Sequence, residues 1–214
     1  MKIRKSQEGI DKIVIEKFYV SMMNTNCYLY YDEKSKEAMV IDIGDTSERL
    51  LTFIKEKELK VKYIYLTHCH FDHISGAEWL KENTGGEIVI LEAEKENLKD
   101  INVNLSEIVS GKAVSFEPDK VVFEGDELVV GNDVFKVIHT PGHTAGGSCL
   151  YNGEVLFAGD TLFLGTHGRT DLPTSNYSDI IRAIKTKLLT LPDDTVVYPG
   201  HGGSTTIGAE RELY

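Results

Sequence analysis

Short apolar runs separated by turn residues make up most of the chain and predict a strand-rich fold. The runs are rich in β-branched and aromatic side chains, and glycine, asparagine or aspartate bounds most of them, which is typical of strands. Asn152-Gly153 separates two such runs and indicates a hairpin. We predict strands over residues 13–20, 27–31, 38–43, 61–66, 87–91, 120–123, 127–130, 134–139, 148–151, 155–158 and 195–198.

Other segments show the helical spacing of apolar residues. A helix is predicted to begin near Ser47 and to bury Leu50 and Ile54 on one face. Helices are also predicted over residues 74–83 and 178–189, whereas residues 92–111 are predicted to be helical or irregular. Because strand-rich halves alternate with covering helices and no linker interrupts them, we predict one α+β domain over residues 1–214, with two β-sheets packed face to face and helices outside.

The charge and the distribution of apolar residues exclude several classes of partner. A net charge of −11 argues against a nucleic-acid partner, because proteins that bind phosphate backbones present basic surfaces. No apolar run approaches the roughly 20 residues that span a bilayer, and residues 1–8 lack the apolar core of a signal peptide. We therefore expect a cytoplasmic protein with no membrane partner. The sequence leaves the oligomeric state open.

The densest group of metal-binding side chains is the segment 67–73 (THCHFDH), which directly follows a predicted strand. His68 and His70 are two residues apart, so both imidazoles point to the same side of an extended segment and can share one metal ion. Asp72 and His73 follow where the chain turns into a helix, so they can face a neighbouring ion. Each pair is incomplete alone, because a catalytic zinc generally takes three protein ligands.

Three further donors lie at the ends of later predicted strands, each in a glycine-rich loop: His143, Asp160 and His201. Rigid strands can hold such loop residues together at one edge of a sheet sandwich. Imidazoles and carboxylates accept zinc, iron and manganese. The complete set of seven donors is too large for one tetrahedral ion, so the sequence predicts two adjacent ions and a metalloenzyme.

Several residues near these motifs have other predicted roles. Cys69 points to the opposite side of the segment from its histidine neighbours, and we predict that it fills space in the core. His139 is predicted to make a structural hydrogen bond and not to bind metal. His167 and Arg169 are predicted to contact the substrate at the mouth of the pocket. Arg169 is also expected to pair with Asp171, which leaves open a role in orienting a metal ligand.

The order and spacing of these motifs resemble the metallo-β-lactamase superfamily. The resemblance rests on the histidines and aspartate of residues 68–73, on His143, on Gly159-Asp160-Thr161 and on Gly200-His201, and it covers essentially the whole chain. Residues 159–163 (GDTLF), 168–173 (GRTDLP) and 200–208 (GHGGSTTIG) resemble the short, single-domain glyoxalase II-like hydrolases. The resemblance implies a four-layer α/β/β/α sandwich with two mixed β-sheets.

The resemblance also implies roles for the site residues. The first metal ion would be bound by His68, His70 and His143, the second by Asp72, His73 and His201, and Asp160 would bridge the two. Asp72 and Asp160 are accordingly predicted to be the catalytic carboxylates. The implied cofactors are two divalent ions, with zinc preferred over iron or manganese. The implied reaction is hydrolysis of the thioester of a small 2-hydroxyacyl thiol, such as S-lactoylglutathione, by a hydroxide that bridges the ions.

Other members of the same fold remain as alternatives. Persulfide dioxygenases use one ferrous ion held by two histidines and one aspartate, and His68, His143 and Asp160 match that set. The complete second ligand set favours hydrolysis. Acyl-homoserine lactonases share all the ligands but not the GRTDLP segment, and β-lactamases generally lack the aspartate equivalent to Asp160. Longer glyoxalases II continue into a helical region that holds glutathione, whereas this chain ends at Tyr214, so the thiol carrier stays open.

Overall fold

The computed structural model describes residues 13–214, so the segment considered above for a signal peptide, residues 1–8, lies outside the described residues. The strands in the described part of the chain are β1 (Ile13–Val20), β2 (Thr25–Asp32), β3 (Glu37–Ile41), β4 (Lys60–Leu66), β5 (Glu87–Leu91), β6 (Lys120–Val122), β7 (Glu127–Val130), β8 (Asp133–His139), β9 (Ser148–Tyr151), β10 (Val155–Gly159), β11 (Leu162–Phe163), β12 (Thr166–His167), β13 (Val196–Pro199) and β14 (Thr205–Thr206). The α-helices are α1 (Glu48–Glu56), α2 (Phe71–Ile74), α3 (Ala77–Thr84), α4 (Lys95–Lys99), α5 (Tyr177–Ala183) and α6 (Ile207–Arg211).

Most of the strands form two mixed six-stranded sheets. The first has the order β1-β2-β3-β4-β5-β6, antiparallel from β1 to β3 and parallel from β3 to β6. The second has the order β14-β13-β10-β9-β8-β7, in which β10 and β13 are the parallel pair. A small hairpin, β11-β12, follows β10. The carboxyl ends of β4, β8, β10 and β13 carry the loops that contain the predicted metal ligands.

The two sheets pack face to face through a core of large side chains. Tyr30 and Tyr65 of the first sheet and Phe135 and Phe157 of the second are almost fully buried in one cluster. The rings of Tyr30 and Phe135 lie 4.7 Å apart in an edge-to-face arrangement, a favourable geometry for aromatic pairs. Alternate residues of the strands face outward against helices, which cover both outer faces of the sandwich. The predicted four-layer α/β/β/α architecture is confirmed.

The helix predicted over residues 74–83 is interrupted at Gly76. Residues 71–74 form the single turn of α2, and α3 begins at Ala77. Gly76 donates its N–H to the carbonyl of Ile43 at 2.8 Å, and a β-carbon at this position would lie 2.4 Å from the Asp45 carbonyl oxygen. The close approach to the loop after β3 therefore requires glycine and separates the two helices.

Two further differences concern lengths. The helix predicted over residues 178–189 begins as α5 and continues as a π-helical turn over Ile184–Leu188. The strands β11, β12 and β14 were not predicted, because two-residue strands carry too little periodicity to recognise. No helix within residues 13–214 combines the length and the apolar character needed to cross a membrane.

Candidate metal centre

Four strand ends converge at one edge of the sandwich and deliver the predicted ligands. The loop after β4, with α2, carries four of them, and the loops after β8, β10 and β13 carry one each. The first sheet therefore supplies His68, His70, Asp72 and His73, and the second sheet supplies His143, Asp160 and His201. All seven side chains are buried or half-buried. The site forms only where the two sheets meet.

The donor atoms of these side chains fall into three groups, and within each group the atoms lie within 4.8 Å of one another. The groups are His68 with His70 and His143; Asp72 with His73 and His201; and His68 with His73 and Asp160. In the first, His70 Nδ1 lies 2.9 Å from His143 Nε2. In the second, His201 Nε2 lies 3.2 Å from Asp72 Oδ2 and 3.3 Å from His73 Nε2. The structure thus brings together every predicted metal ligand.

Asp160 lies between the first two groups. Its Oδ2 is 3.5 Å from His143 Nε2 and 3.6 Å from His201 Nε2, and its Oδ1 is 3.5 Å from His73 Nε2. Gly200 packs directly against it, since a β-carbon there would lie 2.2 Å from Asp160 Oδ1. One carboxylate can therefore reach an ion held by either group.

Hydrogen bonds on the far side of the imidazoles fix which nitrogen faces the centre. His73 Nδ1 donates to Asp42 Oδ2 at 2.9 Å, and His143 Nδ1 donates to the backbone carbonyl of Arg169 at 2.8 Å. Thr67 Oγ1 lies 3.0 Å from His68 Nδ1. These contacts leave the Nε2 atoms of the three histidines directed at the centre. Partners of this kind orient metal-binding histidines and raise their basicity.

Two orienting residues were missed by the sequence analysis. Asp42 accepts hydrogen bonds from Thr67 N–H and Thr67 Oγ1, both at 2.8 Å, in addition to the one from His73. It directly follows the buried strand β3, and a carboxylate at that point is a signal that could have found it. Thr25, the first residue of β2, donates its hydroxyl hydrogen bond to Asp72 Oδ2 at 2.9 Å. Nothing in the local pattern around Thr25 indicates that contact.

The group of His68, His70 and His143 differs in its electrostatics from the group of Asp72, His73 and His201. Burial, together with the surrounding histidines, lowers the pKa of His68 far below its usual range and the pKa of His70 to about 3. Burial also disfavours the charge of His73, but Asp72, Asp160 and Asp42 outweigh it and raise its pKa to about 10. In the same way the hydrogen bond to Asp72 and the charge of Asp160 outweigh burial and raise the pKa of His201.

The carboxylate of Asp72 is held in its ionised form. Burial alone would raise its pKa, but the charge of His73, the contacts with His201 and the hydrogen bond from Thr25 together lower it below the usual range. Without metal, positive charge on the histidines balances the carboxylates of this group. A divalent cation would take over that balancing role.

The residues present fit metal ions. Among the described residues, His68 Nε2, His70 Nε2 and Asp160 Oδ1 are buried without a hydrogen-bond partner. A buried polar atom left unpaired costs about 1–3 kcal/mol, so such atoms are rare unless an ion or water satisfies them. Five imidazoles and two carboxylates are ligands that zinc, iron and manganese accept. The donor set therefore accommodates two divalent ions.

Several other predictions are confirmed outside this cluster. His139 donates from Nε2 to the carbonyl of Ala145 at 2.9 Å, a structural hydrogen bond. Cys69 is fully buried in the core of the first sheet, and burial raises the pKa of its thiol. Arg169 and Asp171 form a bidentate ion pair with both distances at 2.7 Å, and both side chains are exposed.

The ring of His167 lines a cavity outside the cluster of predicted metal ligands. In the β11-β12 hairpin it pairs with Leu162, which packs into the core under α5, whereas Phe163 faces the ring of His201. The His167 ring contacts Tyr177 at 5.7 Å and Tyr214 at 6.3 Å between ring centres, in a cavity of about 350 Å³. Its contact with substrate stays a prediction.

Comparisons with known proteins agree with this geometry. The family model described as the metallo-beta-lactamase superfamily matches residues 21–201. The hydroxyacylglutathione hydrolase GloC of Haemophilus influenzae is 38% identical over 201 residues, which cover 92% of this chain and 94% of GloC.

Two solved structures are similar over nearly the whole chain. The BLEG-1 B3 metallo-beta-lactamase has a TM-score of 0.87 and 33% identity, and the match covers 93% of this chain and 97% of that one. TTHA1623, solved in a di-iron-bound form, has a TM-score of 0.80 and 31% identity, with coverage of 92% and 98%.

Proposed function

Because this chain belongs to the metallo-beta-lactamase superfamily, we propose that it is a metal-dependent hydrolase that cleaves the thioester of a small 2-hydroxyacyl thiol. The observation that carries the proposal is the position of Asp160 between two complete three-residue donor groups. Such an arrangement suits two ions that share one carboxylate. Similarity to GloC supports the thioester as substrate.

The proposed ligands follow the groups seen in the structure. His68, His70 and His143 would hold the first ion, Asp72, His73 and His201 would hold the second, and Asp160 lies where it could be shared by both. Zinc is the proposed metal, with iron or manganese as alternatives, and TTHA1623 in its di-iron-bound form is a reason to keep iron in the test. When bound, two such ions lower the pKa of water to near neutrality and polarise the carbonyl that it attacks.

The chain's own residues prepare the site for this chemistry. Asp42 and the Arg169 carbonyl hold His73 and His143 in the tautomer that presents Nε2 to the centre. Asp72 and Asp160 provide two fixed negative charges, which bind two dications while leaving net positive charge for an oxyanion. The exposed Arg169 and the ring of Phe163 lie at the rim, where a thiol carrier would rest.

The first experiment is metal analysis of anaerobically purified protein, with S-lactoylglutathione hydrolysis assayed on the same sample. Two metal ions per chain together with thioester turnover are expected. Asp160→Asn is expected to lower bound metal and to reduce turnover at least about 100-fold, because the shared charge is lost. Asp179→Asn, which changes a half-buried carboxylate paired with Arg182 on α5, away from the ligand loops, is the control and should keep both.

Two other outcomes would replace the proposal. One iron per chain with oxygen uptake on glutathione persulfide, and no hydrolysis, would establish the dioxygenase, whose set of His68, His143 and Asp160 is also present. Hydrolysis of a β-lactam and not of the thioester would instead place the activity with that of BLEG-1.

A further inference from the structure

Glu94 is a buried carboxylate that the chemistry above does not use. It ends the 3-10 turn Glu92–Glu94 after β5, directly before α4, and its side chain is fully buried. Removing a carboxylate from water costs several kcal/mol unless hydrogen bonds or a cation compensate. A buried glutamate in a loop between elements therefore needs a physical reason.

The hydrogen bonds of Glu94 connect two ligand loops. Its Oε1 accepts the backbone N–H of Cys69 at 3.0 Å, and its Oε2 accepts the N–H of Gly146 at 2.8 Å and Asn97 Nδ2 at 3.1 Å. Cys69 is the residue between His68 and His70, and Gly146 lies three residues after His143. One carboxylate thus joins the loop from the first sheet to the loop from the second.

The contact with Gly146 is close enough to fix the spacing of these loops. A β-carbon on Gly146 would lie 2.5 Å from the Glu94 backbone nitrogen and from Oε2, so no larger residue fits. A second contact joins the same two segments: the N–H of Ser148, at the start of β9, donates to the carbonyl of Thr67, directly before His68, at 2.9 Å. Glu94 therefore closes a short bridge over the group formed by His68, His70 and His143.

The negative charge of Glu94 has no cationic partner among the residues that the structure describes. Within residues 13–214, no lysine, arginine or histidine forms an ion pair with it, and the nearby Lys95 and Lys99 pair with Glu96 or Glu117. The three histidines of the first group carry no charge when they bind metal. The first metal ion of the proposed holoenzyme would add positive charge to the two loops that Glu94 joins.

We infer that Glu94 is a positioning residue for the first metal site: it sets the distance between the His68–His70 loop and the His143 loop and places a negative charge where these two loops meet. The inference rests on the proposed ligand set but not on the identity of the substrate. Two properties of the side chain are separable. Its reach spans both N–H groups, and its charge complements the dication.

Two substitutions test these properties. Glu94→Gln keeps the length but removes the charge and presents an amide N–H₂ to one of the two backbone N–H groups. Glu94→Asp keeps the charge but is one methylene too short to reach both loops. Each is expected to weaken the first site about 10- to 100-fold, the effect typical of residues that orient metal ligands. The second site should change much less.

The measurement is a competition titration of the metal-free, full-length protein with zinc and a chromophoric chelator. This titration resolves two dissociation constants for zinc. The variants His143→Ala and His201→Ala assign those constants to the first and second sites. The visible spectrum of the cobalt-substituted protein then reports the geometry of the first site directly. Neither readout depends on turnover, so a failure of the thioesterase proposal leaves this test intact.

Asp32→Asn is the matched control. Asp32 is also a buried carboxylate that accepts hydrogen bonds, from Lys34 N–H and Ser35 Oγ, but it lies at the turn after β2 at the opposite end of the sheet. It should lower the melting temperature without changing either dissociation constant. A Glu94→Gln protein whose two constants equal those of the wild type, or whose sites weaken equally, would overturn the inference. Should that variant fail to fold, Glu94→Asp decides by the same criterion.

Discussion

Arg169 shows how side chain and backbone of one residue can do different things. Its guanidinium pairs with Asp171 at the surface, whereas its carbonyl accepts the Nδ1–H of His143. Arg169→Ala is therefore expected to keep full metal content, because the carbonyl remains, and to raise KM for an anionic thioester by about three- to tenfold through lost charge at the rim.

The control for Arg169→Ala is Arg182→Ala, which removes an equally exposed arginine paired with Asp179 on α5. Metal analysis and steady-state kinetics on the two proteins provide the comparison. Loss of metal from Arg169→Ala would show that the side chain, and not only the carbonyl, orients His143. Unchanged metal and unchanged KM would remove Arg169 from the substrate site.

The histidines of the two groups predict different pH dependence of metal binding. A ligating imidazole must be neutral. The pKa of His73 is raised to about 10, so this imidazole holds a proton near neutral pH that metal must displace, and the pKa of His201 is raised in the same direction. The pKa values of His68 and His70 are lowered, so these two are already neutral.

Affinity at the Asp72–His73–His201 group is therefore expected to fall as the pH decreases, by up to about tenfold per proton released and per pH unit, while affinity at the other group changes little. Zinc titrations at about pH 6, 7 and 8, with calorimetry in buffers of different ionisation enthalpy, measure both the affinities and the protons released. Equal pH dependence at the two groups would contradict the assignment.

At the scale of elements, the tight packing of α2 against the loop after β3 can be tested by a single substitution. A β-carbon on Gly44 would lie 1.6 Å from the carbonyl oxygen of Asp72, so Gly44→Ala must push α2 away from the site. Overpacking of this kind costs about 1–3 kcal/mol, and occasionally more. We expect that loss in urea unfolding, with weaker metal binding at the group that contains Asp72.

Gly203→Ala is the control for this element. Gly203 is also close to a ligand, His201, but the nearest atom to an added β-carbon is Leu164 Cδ2 at 3.8 Å. The stability and metal content of the Gly203→Ala protein should match those of the wild type. Equal losses in both variants would mean that glycine is needed throughout these loops for reasons other than contact with α2.

The elements also show why part of the structure was predictable from the sequence. The long strands and the metal-binding side chains of residues 68–73 were predictable, because runs of β-branched and aromatic residues between turn residues and the spacing of histidines are local signals. The break at Gly76 depends on the loop at Ile43 and Asp45, and the role of Asp42 depends on the parallel pairing of β3 with β4. Glu94 resembles any charged residue before a helix until Cys69 and Gly146 are placed around it.

At the scale of the whole molecule, bound metal is expected to stabilise the fold. Ligands that bind only the folded state add about 4 kcal/mol at a thousandfold excess over Kd, which for a domain of this size raises the melting temperature by about 10 °C. Treatment with a chelator should lower the melting temperature by that amount, and zinc should restore it. The double variant His143→Ala/His201→Ala, with each group broken, should melt at one temperature with or without zinc.

The division of the ligands between the two sheets has a consequence for how the chain acquires its metal. Of the proposed ligands, His68, His70, Asp72 and His73 come from one half of the sandwich, and the remaining three come from the other. Neither half alone holds a complete set, so tight capture must follow docking of the halves during folding. The rate at which the ion passes to a chelator is then expected to report the rate at which the two halves separate.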